Sequence, residues 1–181
     1  MHVVVAITGA SGIAYGVRLL EVLECEKSLI LSGDGAKVLG LETGKTPLEL
    51  KKLASHFYKN TQMEAPVASG SQGFDAMVIC PCTMSTASKI ACGISDNLIT
   101  RAASVALKER RRLIIVPRET PMSSIHLRNL AALSEAGAVV LPAMPAFYGR
   151  PKTVDELVDF IVGRVLDSLG IQNDLFHRWA Q

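Results

Sequence analysis

Val116-Pro117-Arg118-Glu119-Thr120-Pro121 sets a cation and a carboxylate side by side between two prolines, directly after an apolar run. Proline fixes φ, so the pair is presented on a stiff frame. An arginine held this way offers a forked donor to a phosphate. A glutamate beside it can move protons if burial raises its pKa toward the working pH. A surface ion pair alone would need no such frame. A second group is Thr8-Gly9-Ala10-Ser11-Gly12, with Gly16 one turn later. Glycines let a phosphate approach the backbone, and the helix start that follows favours negative charge. The loop is not the dinucleotide pattern G-x-G-x-x-G. Ser32 stands where a ribose-reading Asp or Glu is expected, with Asp34 close by, which favours a mononucleotide. The third group, Pro81-Cys82-Thr83-Met84-Ser85-Thr86, carries three hydroxyls where one helix cap needs one, and so offers a second polar or anionic site.

Other residues have an ordinary reading when taken alone. Lys108, in Leu107-Lys108-Glu109-Arg110-Arg111-Arg112, fits a solvated helix end where cations suit the dipole. Arg164 sits at the edge of an apolar helical stripe. Tyr148 fits a core aromatic, His126 a local hydrogen bond, and Trp179 a packing or oligomer contact. Cys80 and Cys82 fit small buried hydrophobes.

These groups need strands that end where they begin. Val3–Ile7, Ser28–Leu31, Ala76–Cys80, Leu113–Val116 and Ala138–Leu141 read as short apolar strands, continuous rather than alternating, as buried parallel strands are. Between them the pattern predicts helices after Gly12, over about 35–43 and 47–55, over 83–91, over 96–110 with Ser95 or Asp96 as cap, and from Ser123 or Ser124 to near Gly137. A last helix carries Val154, Leu157, Val158, Ile161, Val162, Val165, Leu166 and Leu169 at helical spacing. Alternating strands and helices predict a single α/β domain over 1–181 with a doubly wound, parallel, Rossmann-like sheet. Ligands bind such sheets at the carboxyl ends of the strands, where all three groups fall.

The composition agrees. With 181 residues and 49% hydrophobic residues the chain can bury a core, and a net charge of +2 gives no case for nucleic acid or an anionic membrane. The four cysteines lack zinc, thioredoxin or disulfide-framework spacing, which fits a reducing cytoplasm. No apolar run approaches the ~18 residues of a membrane span, and Val3–Ile7 lacks the basic lead-in of a signal peptide.

The chain resembles the UbiX-type flavin prenyltransferases. The motifs that carry the resemblance run in order: Thr8-Gly9-Ala10-Ser11-Gly12 through Tyr15-Gly16-Val17-Arg18, Ala68-Ser69-Gly70-Ser71, Met77-Val78-Ile79-Cys80-Pro81-Cys82, Asp96-Asn97-Leu98-Ile99-Thr100-Arg101, Leu107-Lys108-Glu109, Pro117-Arg118-Glu119-Thr120-Pro121 and Pro145-Ala146-Phe147-Tyr148. The resemblance implies a flavodoxin-like subunit and an enzyme that joins a dimethylallyl group from dimethylallyl phosphate to reduced FMN, with prenylated FMN as product and no metal. It assigns the flavin to Gly9, Ala10, Ser11, Ser32, Thr83, Met84, Ser85, Thr86 and Arg118. It assigns the prenyl phosphate to Lys108, Arg118, Tyr148 and Arg164, and proton transfer to Glu119 with Ser11 and Glu42 in support. It further implies a UbiD-type decarboxylase as acceptor of the product, and a large homo-oligomer, often a dodecamer, with sites shared between subunits. The chain departs from the family pattern at Thr83-Met84-Ser85-Thr86, where many relatives carry Ser-Met-Lys-Thr, and at Ser32-Gly33-Asp34-Gly35. A rival reading is an FMN carrier that assists an aromatic-acid decarboxylase without chemistry of its own. Flavin-dependent cysteine decarboxylation would need a histidine near the first helix, and His2 is the only early one. A Tyr-x-x-x-Lys dehydrogenase reading of Tyr148 to Lys152 is broken by Pro151.

Overall fold

Residues Val3 to Ile7 are completely buried, which requires helices on both sides of the strand they form. The computed structural model describes residues 1–179. It has six parallel strands: β1 (His2–Ile7), β2 (Glu26–Leu31), β3 (His56–Lys59), β4 (Ala76–Cys82), β5 (Arg112–Pro117) and β6 (Val139–Val140). Their order is β3-β2-β1-β4-β5-β6, the doubly wound Rossmann arrangement. Without the short edge strand β3 the order is that of flavodoxins. The order reverses direction between β1 and β4, and this switch point is where a ligand crevice opens.

Helices α1 (Ile13–Val22), α2 (Gly33–Thr43), α3 (Pro47–Lys51) and α7 (Val154–Leu169) cover one face. There they meet Val3, Val5 and Ile7 of β1 and Val78 and Cys80 of β4. Helices α4 (Met84–Ala91), α5 (Leu98–Lys108) and α6 (Ser124–Glu135) cover the other face, against Val4, Ala6, Met77 and Ile79. Successive side chains of one strand thus feed two cores.

Three local expectations are corrected. The helix predicted over 47–55 stops at Lys51, and β3, which the periodicity did not reveal, follows at once. Lys52, Leu53 and Ala54 close the helix end with tight bonds three residues back, and Ser55 N–H donates to the Lys27 carbonyl at 2.9 Å. The open edge of β2 therefore captures His56–Lys59, directly after the stretch whose pattern is helical. The cap of α5 is Asn97, which accepts from Thr100 N–H and completes a capping box, rather than Ser95 or Asp96. The last strand is only Val139–Val140. Ser123, in contrast, caps α6 as expected. Among the described residues no helix is long and apolar enough to cross a membrane.

Candidate active site

The loop after β1 is fastened to its neighbours by backbone and hydroxyl contacts. Thr8 is buried at the end of β1; its hydroxyl donates to the Pro81 carbonyl at 2.8 Å and accepts from Thr83 N–H at 2.8 Å. The exits of β1 and β4 are thereby joined at the switch point. Sequence reading treated Thr8 only as part of the glycine loop, although a lone hydroxyl at the end of an all-apolar strand is a visible signal. Gly9 lies against the start of α2: a Cβ there would stand 2.6 Å from Asp34 Cβ, so a side chain would push the loop away. Gly12 has φ +100°, open to glycine at little cost.

The first N–H groups of α1 are already occupied. Glu42, on the last turn of α2, accepts from Gly12 N–H at 3.0 Å and Ile13 N–H at 2.9 Å. A carboxylate at a helix start satisfies orphan donors and meets the positive end of the dipole. Partial burial works against the Glu42 anion. The Ser11 hydroxyl, these two N–H groups and the Arg118 charge outweigh it and hold the carboxyl below its ordinary range. At this helix start, where the sequence led to the expectation of a ligand phosphate, Gly12 and Ile13 N–H are paired with the chain's own carboxylate. Ser11 itself is exposed beside it.

Two further helix starts face the same edge. Ser32 caps α2 by accepting from Gly35 N–H at 2.9 Å. Thr83 caps α4, accepting from Thr86 N–H at 3.2 Å and donating to the Thr86 hydroxyl at 2.9 Å. Met84 is buried beneath them, while Ser85 is exposed. Cys80 and Cys82 are fully buried, and burial pushes both thiols up, Cys82 to about 12, so neither is a nucleophile at neutral pH.

The exit of β5 completes the edge. Arg118 N–H donates to the Cys82 carbonyl at 3.3 Å, and its Nε donates to the Ser11 carbonyl at 3.1 Å. No ion pair among the described residues involves Arg118, so the rest of its fork is available to an anion. Glu119, part-buried next to it, accepts from Thr120 N–H at 3.2 Å. The Thr120-Pro121 and Cys80-Pro81 peptide bonds are cis. Ser11, Glu42, Thr83, Arg118 and Glu119 thus meet at one edge from four elements. Hydroxyls and a guanidinium suit a phosphate-bearing polar ligand, with a carboxylate at hand for protons.

The remaining expected residues lie elsewhere in the protomer. Lys108 is the last residue of α5, paired with Glu109 beside Gly70, at the amino edge of the sheet. Strand β5 separates it from Arg118 by roughly 17 Å, at ~3.3 Å per residue. Tyr148 follows β6 and is 41% exposed, edge-on to Phe160 at 6.2 Å and to Trp179 at 5.2 Å. Arg164 is three turns along α7, exposed, with Nη1 3.3 Å from Asp167 Oδ2. A single protomer does not bring Lys108 to Arg118.

Comparison with known proteins fits this geometry. Residues 1–166 match the family described as Flavoprotein. The chain is 53% identical to the flavin prenyltransferase UbiX of Methanocaldococcus jannaschii over 182 residues, 99% of each chain. It superposes on a dodecameric FMN-dependent UbiX-like decarboxylase from Escherichia coli O157:H7 with a TM-score of 0.97 at 40% identity, covering 100% of both chains. It superposes equally well, TM-score 0.97 at 42% identity, on AnUbiX (PadA1) in complex with FMN and dimethylallyl pyrophosphate, covering 99% of this chain and 97% of that one. A full-length match of this kind, on the same fold, places the chain in the UbiX flavin prenyltransferase family.

Proposed function

We propose that this protein is a flavin prenyltransferase that joins the dimethylallyl group of dimethylallyl phosphate to reduced FMN, releasing phosphate and prenylated FMN. One observation carries the reading: the bond from Arg118 Nε to the Ser11 carbonyl sets the Arg118-Glu119 pair against the loop after β1, at the switch point of a UbiX-family chain. Reduced FMN supplies the nucleophilic ring that receives the prenyl group. Gly9, Ala10, Ser11, Ser32, Arg118 and the Thr83–Thr86 turn line the edge that holds the flavin, and the buried Met84 fixes the turn from below. Arg118, Tyr148, Arg164 and Lys108 hold the prenyl phosphate, and the cations oppose the negative charge that grows as phosphate leaves. The Glu119 carboxylate takes up the proton released from carbon, and Ser11 and Glu42 fix the loop beside it.

Lys108 faces away from Arg118 in its own subunit, so it serves the site of a neighbour in a homo-oligomer. The dodecameric Escherichia coli relative supports such an assembly. The product passes to a UbiD-type decarboxylase in the cytoplasm. The test is reconstitution. Filtrate from an anaerobic reaction is added to an apo UbiD-type decarboxylase, and it should restore decarboxylation only when both reduced FMN and dimethylallyl phosphate were present. Inactive filtrate from a protein that still binds FMN would leave a flavin carrier instead.

A further inference from the structure

The segment after α7 folds back over that helix and is pinned at several points. The Asn173 amide donates to the Gly163 carbonyl at 3.2 Å and to Asp167 Oδ1 at 3.0 Å. The Phe176 ring occupies the space that a side chain at position 163 would fill, where a Cβ would come within 2.4 Å of it. Arg178 closes the segment with a two-pronged contact to Asp167: Nη2 to Oδ1 at 2.8 Å and Nη1 to Oδ2 at 3.1 Å. Its Nη2 also donates to the Asn173 carbonyl, and its guanidinium lies 5.0 Å over Phe176. Beyond the latch, Trp179 stands edge-on to Tyr148, which is edge-on to Phe160, which packs on Phe176 at 5.0 Å.

Asp167 serves two arginines at once. Its Oδ2 accepts from Arg164 as well as from Arg178. Phe160 and Arg164 are four residues apart on α7 and share a face. One carboxylate therefore links Arg178, which fixes the segment, to Arg164, while the ring contacts of Trp179, Phe160 and Phe176 link the segment to Tyr148, and both Arg164 and Tyr148 are assigned above to the prenyl phosphate. Edge-to-face rings and a forked ion pair hold a geometry better than either does alone.

We propose that Asp167 and Arg178 are a positioning pair for the prenyl-phosphate site: they latch Ile171–Trp179 across α7, and the latched segment fixes the ring of Tyr148 and the guanidinium of Arg164. The proposal rests on the assignment of those two residues to the phosphate. It also gives the glycine at 163 and the aromatic at 176 a shared reason.

The test uses Asp167→Asn, Arg178→Gln, and the double exchange Asp167→Arg with Arg178→Asp, in the full chain. Steady-state kinetics are measured with dimethylallyl monophosphate and reduced FMN, beside FMN binding. Trp179 is the only tryptophan, so its emission and its access to a soluble quencher report the latch directly. The single variants should raise KM for dimethylallyl monophosphate by about fivefold to tenfold with kcat changed far less. FMN affinity should hold and Trp179 should become more open to the quencher; the double exchange should restore the protection of Trp179 while KM stays raised, because an arginine at position 167 no longer holds Arg164. An unchanged KM in both single variants, with Trp179 released, overturns the positioning role. Unchanged Trp179 access overturns the latch itself. Tyr148→Phe and Arg164→Gln separate the two levels. If these raise KM and the latch variants do not, only the latch fails; if these also leave KM unchanged, the phosphate assignment fails and the proposal with it.

Discussion

Glu119 and Glu42 are both carboxylates at the carboxyl edge of the sheet, and their surroundings give them different work. Glu119 sits beside Arg118 with one backbone donor at 3.2 Å, so its oxygens are largely free to exchange a proton. Glu119→Gln keeps the shape and removes the base. It should lower kcat by roughly 10²–10⁴-fold, the usual worth of a positioned base, while FMN titration shows unchanged affinity. Glu42 is committed to Gly12 and Ile13 N–H and to Ser11, and its carboxyl is held below the ordinary range. A group with a depressed folded pKa stabilises the fold above its unfolded pKa and loses that contribution as pH falls through the folded value. Melting curves of the protein and of Glu42→Gln should therefore differ at neutral pH and converge in acid below the ordinary glutamate range. A gap that widened on acidification would contradict the capping role. The place of Glu42 could not be read from local pattern. It lies 30 residues from Gly12 on a helix whose exposed face gives it no distinguishing mark, and only the packing of α2 beside α1 brings them together.

At the scale of elements, the active edge depends on how closely strands and helices approach. Thr8 ties the exits of β1 and β4 with two 2.8 Å bonds through one buried hydroxyl. Thr8→Val keeps the volume but takes the donor from the buried Pro81 carbonyl and the acceptor from the part-buried Thr83 N–H, and a buried polar group so stranded costs about 1–3 kcal/mol. Denaturant unfolding should show that loss, and FMN affinity should fall with it because the α4 start shifts. A fully stable variant would mean the two exits are held by backbone alone. The strands that frame this edge were legible because β1, β2, β4 and β5 are continuous apolar runs closed by glycine, serine or proline. Strand β3 was not. Its residues, His56-Phe57-Tyr58-Lys59, are polar at both ends, and they follow a charged stretch that scans as helix. The pairing that makes them a strand comes from β2, from outside the local sequence.

At the scale of the whole molecule, the sheet decides which residues can share a site. Arg118 and Glu119 leave β5 at its carboxyl end, whereas Lys108 precedes β5 and must lie at the amino edge. That separation was implicit in the order of Lys108, Arg112 and Pro117 along the chain, once β5 was read as a parallel strand. If sites form between subunits, Lys108→Ala and Arg118→Ala should each be inactive alone. Mixed and reassembled together they should regain a measurable part of the activity, since some sites then carry both native residues. No recovery from mixed oligomers would contradict a site shared between subunits. The latch across α7 acts at the same scale, since it fixes Tyr148 and Arg164 from the end of the chain.

The most direct measurement is the mass of the flavin released after anaerobic incubation of the protein with reduced FMN and dimethylallyl monophosphate. The account predicts flavin heavier by one five-carbon prenyl unit, with that product lost in Glu119→Gln. Unmodified flavin from the native protein, with dimethylallyl diphosphate equally inert, would contradict it.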